Sequence, residues 1–228
     1  MAFIEMHVPN CVADLVFKDP YQSQIIKDYA DGKRTKHLLL YGPAGSGKSE
    51  AAKIILRERL DDLSSGAFAK PINPKLYKFG DFNPLMMDWN YQMMQGSERG
   101  YSVIDEVDLF ADEKHYLLRA FIDSTKLGTL ICTTNNLHRL DDAFQDRFFK
   151  LMIERPSAND WIPGAQHILT CEGMTYEKNQ VSTLLKGFNG SARNLIDWLE
   201  EYSLRLGRKL PKAHGQIVPF PAPKLHTN

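Results

Sequence analysis

The sequence "LLLYGPAGSGKSEAAKII" at residues 38–55 decides the fold of this chain. Its first four residues form an apolar run, which is typical of a buried strand in a parallel sheet. The next eight residues match the pattern G-x-x-x-x-G-K-S/T, and the residues from Glu50 onward have helical spacing. A strand, a glycine-rich turn and a helix in this order predict a phosphate-binding loop; a chance glycine turn is the alternative.

The predicted loop contains several groups that can bind phosphate or its metal ion. Its residues are Gly42, Pro43, Ala44, Gly45, Ser46, Gly47, Lys48 and Ser49. Glycines allow the backbone to curl so that its N–H groups point at phosphate oxygens, and the following helix offers its positive dipole end. We expect Lys48 to reach the β- and γ-phosphates and the Ser49 hydroxyl to ligate Mg²⁺. The sequence therefore predicts binding of a nucleoside triphosphate.

The composition is that of an ordinary soluble globular protein. Hydrophobic residues make up 43% and charged residues 25% of the 228 residues. The 28 lysines and arginines balance the 28 aspartates and glutamates, so the formal net charge is zero. This balance argues against a protein coated in basic charge, although it leaves room for a local DNA-binding patch.

Cysteine usage and the N-terminus bear on the compartment. Cys11, Cys132 and Cys171 are far apart, so they form neither a zinc pattern nor a disulfide framework. The first ten residues, "MAFIEMHVPN", lack the basic and apolar regions of a secretory signal, and no apolar run has membrane-spanning length. We therefore expect a cytoplasmic protein without a membrane partner.

The order of predicted elements indicates the fold class. Strand patterns occur at residues 38–41, 75–80, 101–108, 127–136 and 147–156, and helical patterns at residues 20–32, 50–60 and 112–124. Strands that alternate with helices predict an α/β fold with a parallel sheet covered by helices on both faces. From Ser157 the pattern becomes purely helical, in segments at residues 157–173, 176–188 and 191–207. We expect an α/β nucleotide-binding domain at residues 1–155, a small all-helical domain at 156–207, and a proline-rich flexible tail or docking peptide at 208–228.

Two acidic residues end the strand in "VIDEVD", residues 103–108. The strand delivers Asp105 and Glu106 to the carboxyl edge of the sheet, beside the predicted loop. Asp105 is expected to hold Mg²⁺ and Glu106 to polarise the attacking water; solvated strand-end charges are the alternative. Asp108 is expected to be a helix-capping or surface acid.

Further polar candidates follow along the chain. In "ICTTNN" an asparagine, either Asn135 or Asn136, could orient water near the γ-phosphate, but asparagine also suits a strand-to-loop corner. Arg147 begins the last predicted strand, and Arg193 lies in the first turn of a predicted helix. A guanidinium suits transition-state charge on phosphate, whereas a surface ion pair is the usual role of a single arginine.

These motifs, in this order, resemble those of the AAA+ ATPases, most closely the small subunits of clamp loaders of the replication factor C type. The resemblance covers about residues 13–206. The stretch at residues 14–49 resembles the family's segment from the adenine contacts to Walker A, and "VIDEVD" resembles Walker B. Residues 135–148 resemble sensor 1 followed by the arginine finger, whereas "CEGM" and "GSARNL" resemble the lid and sensor 2.

The resemblance implies a role for each matched residue. Val16 and Phe17 would contact the nucleotide, which would be ATP with Mg²⁺. Asn135 would sense the γ-phosphate, and Arg193 would touch it from the lid of the same subunit. Arg147 would reach into the site of the neighbouring subunit, so a homo- or hetero-oligomer of AAA+ subunits is expected.

Two departures from the clamp-loader pattern shape the expected function. The finger tripeptide, serine-arginine-cysteine in clamp loaders, reads Asp146-Arg147-Phe148, and the helical collar that follows the lid in clamp loaders is missing from this sequence. We therefore expect a compact AAA+ ATPase that loads or remodels a component of DNA replication or recombination, with DNA and a replication-type protein as partners. A small viral-type, Rep-like DNA helicase domain and a protein-directed assembly factor or chaperone are the alternatives.

Overall fold

The computed structural model describes residues 3–60, 70–188 and 191–207. Contacts between residues divide the chain into two units, an α/β unit of residues 9–15 and 19–154 and a helical unit that includes residues 3–8, 16–18 and those from 155 onward. Residues 3–8 and 16–18 thus group with the helical unit rather than with the first domain to which the sequence assigns them. The tail at 208–228 lies outside the described residues.

The α/β unit contains a parallel sheet of four strands. They are β1 His37–Tyr41, β2 Gly100–Ile104, β3 Gly128–Thr134 and β4 Phe148–Met152. Their order across the sheet is β2-β3-β1-β4, with every neighbouring pair parallel. Strand β1 is central, and its three leucines are fully buried. The predicted α/β class is confirmed, and all carboxyl strand ends meet at one edge.

Helices cover the sheet and form the second unit. In chain order they are α1 Phe3–Met6, α2 Pro20–Ala30, α3 Lys48–Arg59, α4 Asn83–Met94, α5 Asp112–Ser124, α6 Asp142–Gln145, α7 Ala158–Cys171, α8 Lys178–Leu184 and α9 Ala192–Gly207. Contacts between residues link α3 to β1, β2 and β3, and α4 to β2. No helix in the described ranges is long and apolar enough to cross a membrane.

The strand predicted at residues 75–80 is wrong. Pro74–Leu76 forms a turn of 3-10 helix, capped by the Asn73 side chain, which accepts from the Lys75 N–H at 2.9 Å. Pro74 has no N–H for a strand ladder, and the capped turn diverts the backbone before residues 75–80 can pair as a strand. Beside β2, the sheet gains only an isolated parallel bridge between Ile72 and Ile104.

Helix α4, which the sequence patterns did not predict, fixes strand β2. The Trp89 indole N–H donates to Ser102 Oγ at 2.9 Å, and both groups are buried. The Gln92 amide bonds to the backbone of Tyr101, accepting from its N–H at 2.6 Å and donating to its carbonyl at 3.0 Å. These contacts satisfy buried polar groups and hold the strand that leads to Asp105.

The helical unit has its own apolar core. Helix α7 begins with a capping box, in which Ser157 and Asp160 satisfy each other's backbone N–H groups. The buried core includes Ile162, Leu169, Val181, Leu184, Leu195, Leu199 and Phe3. Because Phe3 packs in this cluster, the N-terminal helix α1 belongs to the helical unit.

His37, at the start of β1, is a half-buried neutral group. Its Nδ1 accepts the N–H of Leu130 at 2.9 Å. Burial, and next the positive charges of Arg99 and Lys36, lower the pKa of His37 to about 4. The unfolded chain, with a histidine pKa of about 6.5, therefore binds more protons than the folded chain between these two pH values.

We expect acidification to destabilise the protein through this histidine. The contribution of His37 to stability is complete above pH 6.5 and is lost as the pH falls towards 4. Between pH 7.5 and 5 the loss amounts to about 2 kcal/mol. Denaturant unfolding of the native protein and of His37→Asn measures it, since asparagine keeps an acceptor but does not titrate. Equal pH dependence of the two proteins would contradict the prediction.

Candidate nucleotide-hydrolysis site

The loop between β1 and α3 has a backbone that only glycine adopts easily. Gly42, Gly45 and Gly47 have φ values of 143°, 74° and 94°. At Gly42 a Cβ atom would also lie 2.3 Å from the carbonyl oxygen of Ile153. The loop therefore starts in close contact with the chain segment that leaves β4.

Lys48 lies inside the loop. Its side chain is buried, and its Nζ donates to the carbonyl oxygens of Gly42 at 2.9 Å and Pro43 at 2.8 Å. The Ser46 hydroxyl is a more distant partner at 3.5 Å. The ammonium group is thus held at the centre of the curled backbone, where it can exchange carbonyl partners for phosphate oxygens.

Ser49 and Asp105 meet at the carboxyl edge of the sheet. The Ser49 hydroxyl donates to Asp105 Oδ1 at 2.7 Å, across 56 residues of sequence. A hydroxyl and a carboxylate are hard oxygen ligands, and Mg²⁺ in such sites is bound by one or two protein groups together with water and phosphate. The residues present therefore fit a magnesium ion, and among the described residues no larger His, Cys, Asp and Glu cluster offers another metal site.

Thr133, near the end of β3, connects the two acids. Its hydroxyl donates to Asp105 Oδ1 at 2.6 Å and accepts the backbone N–H of Glu106 at 2.9 Å. The residue is buried, so both bonds are shielded from water. Thr133 is not among the site residues predicted from the sequence, where its position in the polar end of "ICTTNN" is the only signal for it.

Glu106 has a strained backbone. With φ 55° and ψ 52° it is the only non-glycine residue with positive φ in the described part of the chain. Such a conformation costs about 1–3 kcal/mol and persists only where surrounding contacts impose it. Here the Thr133 hydroxyl holds the Glu106 N–H, and the side chain is exposed at the sheet edge.

The two asparagines after β3 occupy different positions. Asn135 donates from Nδ2 to Glu106 Oε1 at 3.2 Å, and both side chains are exposed. The Asn136 N–H instead bonds to Thr134 Oγ1 at 2.9 Å, which is a corner contact. Of the two, Asn135 shares the region of Asp105, Glu106 and the loop.

Comparison with known proteins identifies the family of this site. The model of the ATPase family associated with various cellular activities (AAA) matches residues 38–155. The chain belongs to the AAA family. It is therefore an AAA P-loop ATPase, and the assignment of residues 42–49 as its phosphate-binding loop stays a prediction.

Several relatives resemble this AAA chain over most of its length. Replication factor C subunit 5 of Mus musculus is 21% identical over 211 residues, which are 91% of this chain and 62% of the relative. The replication factor C small subunit of Methanothermobacter thermautotrophicus is 23% identical, covering 92% of this chain and 65% of its own length. The chain thus spans under two thirds of these relatives.

A solved structure has the same fold. The RuvB Holliday junction branch migration motor of Thermotoga maritima superposes with a TM-score of 0.64 at 17% identity. The match covers 91% of this chain and 68% of that protein. At this identity the likeness concerns the AAA fold alone.

Arg147 lies at the amino-terminal edge of the AAA sheet, directly before β4. Its guanidinium forms a two-pronged ion pair with Asp123 of α5, with Nε 2.7 Å from Oδ1, and Nη1 donates to the carbonyl of Ala143. The pair lowers the pKa of Asp123 and raises that of Arg147. Phe148 is paired with His37, the first residue of β1. The loop follows the last residue of β1, so the five residues of this strand, about 16 Å, separate Arg147 from the loop. Arg147 is therefore out of reach of the loop that its own chain carries.

Three predicted nucleotide contacts belong to the helical unit. Arg193 is exposed in the first turn of α9, whereas Val16 and Phe17 are half-buried. Their contacts with nucleotide stay predictions.

The expectation for Asp108 is wrong. Its side chain is buried and accepts the Thr134 hydroxyl at 2.7 Å, so it is neither a surface acid nor the cap of α5. The adjacent Val107 carbonyl is bonded to the buried His115 ring at 2.9 Å. These contacts fix the backbone that follows Glu106, which makes Asp108 a support of the site.

Proposed function

We propose that this AAA protein hydrolyses ATP at interfaces between subunits and uses the energy to load or remodel a component of DNA replication or recombination. One observation carries the proposal: the loop and the acids lie at one edge of the sheet, and Arg147 lies at the other. A second subunit that brings its Arg147 to this loop would complete the site. We infer that the protein acts in the cytoplasm as an oligomer of AAA subunits.

The chain's own residues would divide the hydrolytic work. Lys48 and the loop N–H groups would bind the phosphates, and Ser49 with Asp105 would hold Mg²⁺, which would supply neutralising charge to the phosphate oxygens. Glu106 accepts a proton from the attacking water, while Asn135 orients that water or the γ-phosphate beside it. Arg147 of the neighbouring subunit stabilises the charge that develops in the transition state.

The proposal of DNA as a partner rests on the relatives. Two are named replication factor C subunits, and a structural neighbour is named a Holliday junction motor. Zero net charge requires that any DNA contact be local rather than spread over the surface. The conformational change that accompanies ATP hydrolysis would act on a protein client of the replication type.

The test is the ATPase rate of the full chain over a range of protein concentrations, without DNA and with single-stranded or duplex DNA. We expect specific activity to rise with protein concentration, and to rise further with DNA as a scaffold. Activity that is independent of both would contradict assembly and the DNA partner. Stimulation by protein clients alone would replace the DNA part of the proposal with a protein-directed one.

Arg193→Ala tests whether the helical unit responds to ATP through this side chain. We expect slower hydrolysis, together with proteolysis near Arg155 that ATP no longer suppresses, because the guanidinium would link the helical unit to the γ-phosphate. Arg205→Ala is the matched control, since Arg205 lies on the same helix and pairs only locally with Glu201. Unchanged ATP-dependent protection in Arg193→Ala would make Arg193 a surface charge.

A further inference from the structure

A cavity of about 360 Å³ opens at the amino-terminal edge of the sheet. It lies where β1 and β3 begin, whereas the phosphate-binding loop follows the other end of β1. Its polar lining consists of Thr35, Lys36, His37, Arg99, Thr125 and Lys126. The cavity thus lies at the opposite end of β1 from the loop of its own chain, and its lining does not include Arg147.

The charged residues that line the cavity are all positive. Lys36, Arg99 and Lys126 contribute three cations, and no lining residue is acidic. Within residues 3–60, 70–188 and 191–207, no carboxylate lies within ion-pair distance of these three side chains. Elsewhere on this unit, cations such as Lys33 and Arg147 are paired with aspartates.

Arg99 is anchored without being neutralised. Its Nη2 donates to the carbonyl oxygens of Lys126 at 3.0 Å and Gly128 at 3.4 Å. Its Nε is buried and has no hydrogen-bond partner among the described residues. A guanidinium held by neutral carbonyls keeps its full charge, and an unsatisfied buried donor is costly unless a ligand pairs with it.

The pKa of His37 reflects the positive charges around the cavity. Arg99 and Lys36 both act to lower its pKa, after the larger effect of burial, so the ring is neutral at pH 7. Because Nδ1 accepts the Leu130 N–H, the ring proton lies on Nε2, which makes that atom a donor. Burial disfavours a charge of either sign, but the two nearby cations, Arg99 and Lys36, favour an anion at the same place.

We propose that this cavity binds a phosphate group. Lysine ammonium groups, a guanidinium and threonine hydroxyls are the donors that phosphate recruits, and a concave site concentrates their field. The volume of about 360 Å³ is larger than one phosphate needs and admits a diphosphate or a phosphate with its sugar. Two sources share this chemistry, a DNA backbone and a free small phosphate.

Nuclear magnetic resonance on the labelled full chain tests the site directly. On titration with inorganic diphosphate, we expect saturable shifts of the His37 and Gly128 amides, separable from shifts of Gly45 and Gly47 in the loop. In Lys36→Gln/Lys126→Gln the affinity at His37 and Gly128 should fall about tenfold or more. Lys33→Gln removes a neighbouring exposed lysine that is already paired with Asp31, and it should leave that affinity unchanged.

A second titration, with a DNA oligonucleotide in place of diphosphate, identifies the source of the phosphate. If the DNA backbone is the ligand, the double variant should weaken DNA binding for every base sequence. The slope of the logarithm of the binding constant against the logarithm of salt concentration should fall by about one unit for each lysine. Shifts with diphosphate alone would assign the site to a small phosphate. No shift at His37 and Gly128 with either probe, or equal shifts in the double variant, would overturn the proposal. Loop shifts in the same spectra report on the hydrolysis site independently.

Discussion

Arg147→Ala should slow ATP hydrolysis by about 10³–10⁵ while leaving ATP binding intact, because a finger supplied in trans has an effect of this size. Its side chain lies at the edge of the sheet opposite the loop, so it can act only on another chain. The fold should persist, since the ion pair that is lost joins two partly exposed side chains and contributes little to stability. Arg139→Ala, which removes an exposed arginine eight residues earlier in the chain, is the matched control.

Mixing this variant with Lys48→Ala decides whether the site is shared. Lys48→Ala chains lose the cation held in the loop and should not bind ATP productively, yet they keep Arg147. At a mixed interface the intact loop of one chain meets the intact finger of the other, so hydrolysis should return. No recovery, combined with full activity of dilute native monomers, would mean that Arg147 is a surface charge.

Glu106→Gln should reduce turnover by about 10²–10⁴, the range expected when a general base is removed. The amide cannot take the proton of the attacking water, whereas Ser49 and Asp105 would still be present to hold Mg²⁺, so ATP affinity should be unchanged. Stability should also be unchanged, because the backbone N–H of residue 106 keeps its bond to Thr133. Pre-steady-state hydrolysis and equilibrium ATP binding separate the two effects.

A matched variant makes the result specific. Glu113→Gln removes an equally exposed carboxylate from the first turn of α5, and it should leave turnover unchanged. A decrease of less than tenfold in Glu106→Gln would assign the proton transfer to another group.

Sequence patterns predict correctly those elements whose structure depends on neighbouring residues in the chain. The helix predicted at residues 112–124 is α5 Asp112–Ser124, because its apolar residues have regular helical spacing. The phosphate-binding loop was predictable for the same reason, since its glycines meet backbone demands that are local. The strand predicted at 75–80 is wrong because the asparagine and the proline just before it begin a turn of 3-10 helix.

Long-range contacts explain what the sequence could not predict. Thr133 joins Asp105 and Glu106 across 28 and 27 residues, and nothing in its local pattern distinguishes it from Thr134. The burial of Asp108 likewise depends on Thr134, 26 residues later. Such pairs form only when β2 and β3 align in register.

The close approach of Ile153 to Gly42 joins the segment that leaves β4 to the first residue of the loop. Ile153 donates its N–H to the Tyr41 carbonyl at 2.8 Å, and its own carbonyl lies against the first glycine of the loop. A displacement of the Ile153 carbonyl would therefore press on the backbone of Gly42 before it reached any side chain of the loop.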